Sequence, residues 1–410
     1  MQNKEKRSSS RFSPTVWLVA WVSLFTDISS EMLYPVMPLY LRSIGFSVFW
    51  IGLLEGLAEA LAGLSKGYFG RRSDLSGKRV AYVRGGYLLS ALSKPMLALS
   101  GALPWVFTAR LSDRLGKGLR TSARDALLSA ESSAENKGRV FGLHRGMDTL
   151  GAAIGPLMAL AFLSQWPGHY QPLFLLAFLP ALAGVGLTLL LRDPPLKNAA
   201  KTATPTGFLA YLGYWKTASP AYRRLLIGLL AFALFNSSDA FLLLRAREQG
   251  LSETGVLGLY IAYNLIYAAA ALPAGSLADR WGMRRVLQAG LLIFAGVYAG
   301  FGWGFKGPEL LGLFALYALY AACSESIAKA WIAQLVPLEE TGTALGLFLS
   351  LASLATLLAS TLAGLLWQWG FPALPFQVSA LGSLGVWGYF VLNGKNMPEG
   401  ITRSGNPLKK

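Results

Sequence analysis

The sequence predicts an all-helical integral membrane protein, with twelve transmembrane helices arranged as two parallel six-helix repeats. Three observations carry this. Apolar runs of about 18–25 residues recur about a dozen times, which is the length a bilayer core demands. The 410 residues are 53% hydrophobic and only 14% charged, whereas about a quarter of a soluble domain is charged. The second half of the chain also repeats the first. Gly70-xxx-Asp74-xx-Gly77-x-Arg79 returns 205 residues later as Gly275-xxx-Asp279-xx-Gly282-x-Arg284, and Glu135-xx-Gly138-xxx-Gly142 returns 204 later as Glu339-xx-Gly342-xxx-Gly346. Both copies start on the same side, so the repeats are parallel. Short alternating strands are not seen, which argues against a barrel.

The spans of the first repeat begin near Val16, Phe49, Val80, Leu103, Val140 and Gln171. Those of the second begin near Leu225, Thr254, Val286, Glu309, Gly342 and Pro372. Met1 to Pro14 is polar and basic, and the span after it carries Asp27 and Glu31 without a small-residue cleavage site. It reads as a retained first helix, not a signal peptide. The fourth span places Arg110, Asp113 and Arg114 within five residues. A charge at a helix centre costs about 2.5–3.5 kcal/mol, so three cost roughly 9 kcal/mol, and a few leucines at about 0.5 kcal/mol each cannot offset that. This helix therefore faces protein or water, which is what a polar pathway through a membrane requires. The longest polar connection, Arg192 to Arg224, divides the chain into residues 1–192, a linker at 193–224, and residues 225–410.

The net charge of +16 sorts by loop. One set holds Lys4, Lys6, Arg7, Arg11, Arg71, Arg72, Lys78, Arg79, Lys137, Arg139, Arg192, Lys197, Lys201, Arg280, Arg284, Arg285, Lys409 and Lys410. The alternate loops hold little beyond Arg42, Arg245, Arg247 and Lys306. That asymmetry is the topology signal of a multi-pass protein of the cell membrane, a bacterial-type inner membrane, with both termini in the cytoplasm. It is not a nucleic-acid footprint. Cys323 is the single cysteine, so no disulfide forms within the chain. One fold unit contains a complete pathway, so a monomer in the lipid bilayer is expected.

Several chemistries find no support. One cysteine and two separated histidines, His144 and His169, give no metal-ligand spacing. No Gly-x-x-x-x-Gly-Lys-Ser/Thr is present, so ATP-driven transport is not indicated. Gly63-Leu-Ser65-Lys-Gly67 fits a hydrolase elbow, but it ends a membrane helix and follows no strand. Asn236-Ser-Ser238 fits a glycosylation sequon within a span. The expectation is a protein that is not an enzyme and needs no cofactor.

Gly275-Ser-Leu-Ala-Asp279-Arg280-Trp-Gly282-Met-Arg284-Arg285 resembles the signature loop of major facilitator superfamily transporters. The first-half copy departs from it, with Leu75 after Asp74 where the pattern has Arg. Arg114-xx-Lys117-Gly118 resembles the fourth-helix Arg-xx-Gln-Gly motif, with Lys for Gln. Gly151-xxx-Gly155-Pro156 resembles the fifth-helix motif of drug:proton antiporters. Asp27 followed by Pro35-Val-Met-Pro38 resembles their first-helix pattern. The resemblance spans the chain and implies the major facilitator fold, with helices 1, 4, 7 and 10 lining a central cavity.

Within that frame, Asp27 and Glu31 share a face of helix 1, being four residues apart. Arg110 and Arg114 share a face of helix 4. Acid on one helix and base on its neighbour make a proton switch, with Asp27 as the proton carrier and Arg114 as its counter-charge. On helix 5, Arg145 and Asp148 correspond at offset 204 to Leu349 and Ala352, so the repeat itself does not require charge there. His144 and Asp148 are four apart and could pair. Glu55 and Glu59 of helix 2 could pair with Lys94 of helix 3, and Glu325 with Lys329. Asp239 is the second-half candidate for the pathway, on helix 7. Tyr260, Tyr263 and Tyr267 form a stripe, read as anchoring or packing. Gly151, Gly155 and Pro156 would allow close packing and a bend at the domain interface. At the loops, Gly70, Asp74, Arg79, Gly275, Asp279 and Arg284 would form a cytoplasmic gate, each carboxylate docking on an opposing helix N-terminus or an arginine.

The function expected from these readings is a secondary active transporter, with protons as coupling ion, exporting a small organic compound by alternating access. A proton-coupled importer of a polar or anionic metabolite and a lipid translocator are the alternatives, and a non-transporting receptor is the reading from another class.

Overall fold

A computed structural model describes residues 12–194, 207–305, 307–394 and 397. Lys4, Lys6, Arg7, Arg11, Lys197, Lys201, Lys306, Lys409 and Lys410 lie outside the described residues. Among the described residues the structure is helical, without strands.

The first repeat comprises α1 (Pro14–Leu33, resumed by Met37–Ser43), α2 (Val48–Ser76), α3 (Arg79–Leu99), α4 (Leu103–Ala130), α5 (Lys137–Gln165) and α6 (Tyr170–Thr188). The second comprises α7 (Pro220–Ala233, resumed by Ala240–Glu248), α8 (Glu253–Trp281), α9 (Met283–Trp303), α10 (Pro308–Leu335), α11 (Thr341–Gln368) and α12 (Leu374–Leu392). The leading helix of each repeat breaks at a comparable depth. Pro35 stops α1, because proline cannot donate to the ladder and disfavours helix before it. In α7 the break falls at Asn236-Ser-Ser238, whose side chains compete for the backbone. Ser238 Oγ accepts from the amide of Ala240 (3.3 Å), and Asn236 Nδ2 donates to Tyr320 Oη (3.1 Å). Unwound backbone at this depth is tolerable only where protein or water satisfies it.

Among the described residues, seven helices are at once long and apolar enough to cross a bilayer by composition alone. The remaining spans fall short because charge and small polar residues dilute them, as in α2 and α4, or because the helix is broken, as in α7. Pairing within each repeat brings those polar faces inward: α4 packs on α2 and α3, and α10 packs on α8 and α9.

The two repeats meet along two equivalent crossings, α5 on α8 and α2 on α11. Glycines of the repeated motif make these crossings. A Cβ on Gly138 would lie 2.6 Å from the Gly275 carbonyl oxygen, and one on Gly342 would lie 2.8 Å from that of Gly70. Only a residue without Cβ permits such approach. The result is reciprocal capping. Asp279 of α8 accepts from the amides of Gly138 (2.7 Å) and Arg139 (2.8 Å), at the start of α5. Asp74 of α2 accepts from the amides of Gly342 (3.2 Å) and Thr343 (2.6 Å), at the start of α11. The first amides of a helix lack partners within it and carry its positive dipole end, so a carboxylate is the fitting cap.

We call the end of the bundle that carries these caps the loop face. Residues 210–217, ahead of α7, lie across it. Tyr211 Oη meets Ser350 Oγ of α11 (2.9 Å), Arg71 of α2 donates to the Ala210 carbonyl (3.0 Å), and Tyr214 donates to Glu340 (2.9 Å). Burial, and then the Glu340 carboxylate, push the Tyr214 phenol above its ordinary range, so it stays a donor. The connecting segment is thus wedged into both repeats on one face.

Candidate functional site

A cavity of about 320 Å³ lies between the repeats. Its walls come from helices the charges single out: Asp27 and Glu31 of α1, Lys117 and Arg120 of α4, Asp239 at the α7 break. Tyr260 and Tyr263 of α8 face them from the second repeat. The loop face is shut beneath this cavity by the two carboxylate caps and by three further bridges between the repeats. Arg79 donates to the carbonyl of Leu338, Lys137 to that of Ala333 (3.3 Å), and Gln334 to that of Ala134 (3.0 Å).

Six charges at the cavity floor close into a ring that crosses between the repeats twice. Arg145 of α5 pairs with Asp148 (2.8 Å) and with Glu325 of α10 (2.5 Å). Asp148 lies 3.9 Å from Arg124 of α4, which holds its neighbour Asp125 at 2.9 Å. Asp125 in turn pairs with Lys329 of α10 at 3.1 Å. Glu325 and Lys329 stand one turn apart on α10 and complete the circuit. Three acids balance three bases, which is what low-dielectric surroundings demand of buried charge.

Asp27 adds a seventh charged group. Its carboxyl lines the same cavity as that of Asp148. Two neighbouring carboxyl groups repel when both are ionised, and a proton held by either one relieves that. The packing that makes this pair is local. A Cβ on Gly151, three residues after Asp148, would lie 3.0 Å from Asp27 Cβ and 2.6 Å from the Leu24 carbonyl oxygen, so glycine is needed for α1 to approach α5.

The remaining candidates fall into place as follows. Arg110 forms a bidentate pair with Glu55 of α2 (2.8 and 2.9 Å). Asp113 pairs with Lys94 of α3 (2.7 Å), and Arg114 with Glu59 of α2 (3.3 Å). These three residues tie α2, α3 and α4 together inside one repeat, and none lines the main cavity. The expected pairing of Asp27 with Arg114 is not formed: Arg114 meets Glu59, and Gly151 brings Asp27 of α1 onto α5. Glu55 and Glu59 meet arginines of α4 and not Lys94. Glu325 and Lys329 each reach across to the first repeat and do not pair with each other. His144 meets Ser23 Oγ (2.7 Å) and not Asp148. Asp239 accepts from Tyr317 (2.7 Å). Gly151 and Gly155 pack against α1 of the same repeat and not at the domain interface, a correction to the expectation: a Cβ on Gly155 would lie 2.6 Å from the Ile28 carbonyl oxygen, and Pro156 is buried beside it in α5. Of the gate set, Arg79 binds Asp74 directly (2.9 Å), whereas its counterpart Arg284 lies beside Gly394.

Sequence reasoning passed over Lys66, Arg120, Arg124 and Asp125. The fourth apolar run fades at its charged end, yet α4 continues to Ala130. The signal was present: Arg120 and Arg124 repeat the one-turn spacing of Arg110 and Arg114 ten residues further on.

Comparison with known proteins agrees with this architecture. The profile of the Major Facilitator Superfamily matches residues 19–262 and 225–406. An uncharacterized transporter of this type from Methanocaldococcus jannaschii is 33% identical over 378 residues, covering 90% of this chain and 92% of the relative. A multi-drug resistance efflux pump homolog of Lactococcus lactis is 25% identical over 170 residues, 40% of this chain and 41% of that protein. Among solved structures, the human organic anion transporter superposes with a TM-score of 0.80 at 19% identity, covering 92% of this chain and 99% of that one. The chain belongs to the Major Facilitator Superfamily and is a multi-pass membrane transporter of that family.

Proposed function

We propose that this transporter is a proton-coupled secondary carrier that moves a small organic compound across the cell membrane by alternating access, in the direction of export. The observation that carries the reading is the pair of neighbouring carboxyl groups, Asp27 and Asp148, that line the cavity beside a charge ring spanning both repeats. A proton leaving that pair adds a negative charge beside Arg124 and Arg145. It thereby alters the balance of the two bridges that join the repeats, so protonation and rocking are linked. Asp74 and Asp279 act as the gate, which in this topology faces the cytoplasm. The partial similarity to an efflux pump supports export. A second reading, uptake of an anionic compound with the proton, is favoured by cavity cations that have no carboxylate partner.

The test is proton flux in vesicles holding the purified protein. A pH gradient is imposed, and compounds from a panel of organic cations, zwitterions and anions are added. Wild type should move protons in response to one class, and Asp27→Asn should not, while remaining folded and inserted. Undiminished flux in Asp27→Asn would remove the assignment.

A further inference from the structure

Lys66 and Lys117 are the unusual charges of the cavity. Both line it. Among the described residues neither ammonium has a carboxylate within 4 Å or donates a hydrogen bond, whereas every charge of the ring below is paired. Their placement side by side is built into the backbone. Gly118 lets α4 approach α2 so closely that a Cβ there would lie 1.9 Å from Ser65 Oγ. Residues 117 and 66 adjoin that contact on either helix, so the crossing sets both lysines on one wall.

Arg120 adds to the same wall. It donates to Ser90 Oγ (2.6 Å) and stacks over Tyr87 (4.5 Å to the ring centroid), both neutral partners. Outside the ring, the cavity lining holds three cations, Lys66, Lys117 and Arg120, and three carboxylates, Asp27, Glu31 and Asp239. Among the described residues, the two lysines are the cations of that set that make neither a carboxylate contact nor a hydrogen bond. Asp239 stands at the α7 break and is held by Tyr317 (2.7 Å). An ammonium without a contact partner in a site of low dielectric is costly, and an anionic group on a ligand relieves it. The facing wall belongs to the other repeat and is aromatic: Tyr263 stacks with Tyr317 at 5.4 Å, and Tyr260 stands one turn before it. At about 320 Å³ the space lies at the lower end of small-molecule sites, roughly 300–1,000 Å³.

We propose that the cavity binds an organic anion, its acidic group held by Lys66 and Lys117 and its apolar body laid against the Tyr260–Tyr263 wall. The ligand then touches both repeats, the charge held by one and the body by the other. This assignment rests on the transport reading for its meaning, but its test does not depend on turnover.

Binding of benzoate and of benzylamine, the same ring with opposite charge, is measured from intrinsic tryptophan fluorescence of the purified protein. Benzoate should bind wild type and benzylamine should not. The Lys66→Gln, Lys117→Gln double variant should bind benzoate at least tenfold more weakly, and Lys117→Arg should retain most of the affinity; gel filtration confirms that each variant is folded. No binding of benzoate to folded wild type, preferential binding of benzylamine, or undiminished benzoate binding by the double variant would each overturn the proposal. Proton flux with the same two probes separates it from the broader reading. Flux triggered by benzylamine alone leaves proton-coupled transport standing and removes the anion site. Lysine-dependent benzoate binding without any flux keeps the site and removes the coupling.

Discussion

Asp279 on α8 accepts a 2.7 Å hydrogen bond from the amide of Gly138, so a carboxylate of one repeat caps a helix of the other. Asp74 makes the equivalent cap on α11, and the two caps differ in strength. Asp74 also receives the Thr343 hydroxyl (2.9 Å) and the fully buried Arg79.

That asymmetry sets the first prediction. Asp279→Ala removes a cap, at about 0.5–2 kcal/mol. Asp74→Ala also strands a buried arginine, which costs about 3–5 kcal/mol. Both should favour opening of the loop face, Asp74→Ala more. In a Cys323→Ser background, an Ala333→Cys reporter should label faster with a polar maleimide in both variants, and fastest in Asp74→Ala. Equal labelling in all three proteins would contradict the capping account.

Gly151 holds α1 against α5. Gly151→Ala places a methyl group 2.6 Å from the Leu24 carbonyl oxygen, in backbone that cannot yield without moving α1. Asp27 should move away from α5, and transport should fall by about tenfold or more while the protein still inserts, because a shift of about 1 Å at a reacting centre suffices for losses of that size. Gly186→Ala, where a Cβ would meet nothing within 4 Å, is the control and should transport normally.

Asp125 is fully buried and serves both Arg124 and Lys329. Asp125→Asn should lower stability by about 3–5 kcal/mol, since two cations lose their counter-charge. Adding Lys329→Gln should recover part of that loss. Thermal unfolding of the purified variants checks it; additive losses would mean that the two residues act independently.

Tyr211 is wedged between α2 and α11. Tyr211→Phe removes only the bond to Ser350, about 1 kcal/mol. Tyr211→Ala vacates the wedge, at about 3 kcal/mol or more. The Ala333→Cys reporter should label faster in Tyr211→Ala than in Tyr211→Phe. Identical rates would show that the connecting segment does not brace the loop face.

Much of this protein was legible in its sequence, for reasons of solvent and of repetition. Lipid demands long apolar helices, so composition alone established an all-helical membrane protein. The constant offset between Asp74 and Asp279 established two parallel repeats, and with Gly138 and Gly342 it marked the very residues that join them. The cost of charge in a bilayer marked Arg110, Asp113 and Arg114, which do not line the main cavity, whereas helical spacing and the repeat offset marked Asp27, Glu31, Arg145 and Asp148, which do. The partners were not legible. Arg110 meets Glu55, Arg114 meets Glu59, and Lys329 meets Asp125, each across a large sequence separation fixed by where two helices cross. Helical spacing tells which charges share a face, but not which helix that face meets. That choice depends on backbone approach at single glycines. Gly151 brings Asp27 onto α5, and Gly118 leaves Lys66 and Lys117 on one wall, a juxtaposition that only the packed tertiary structure decides.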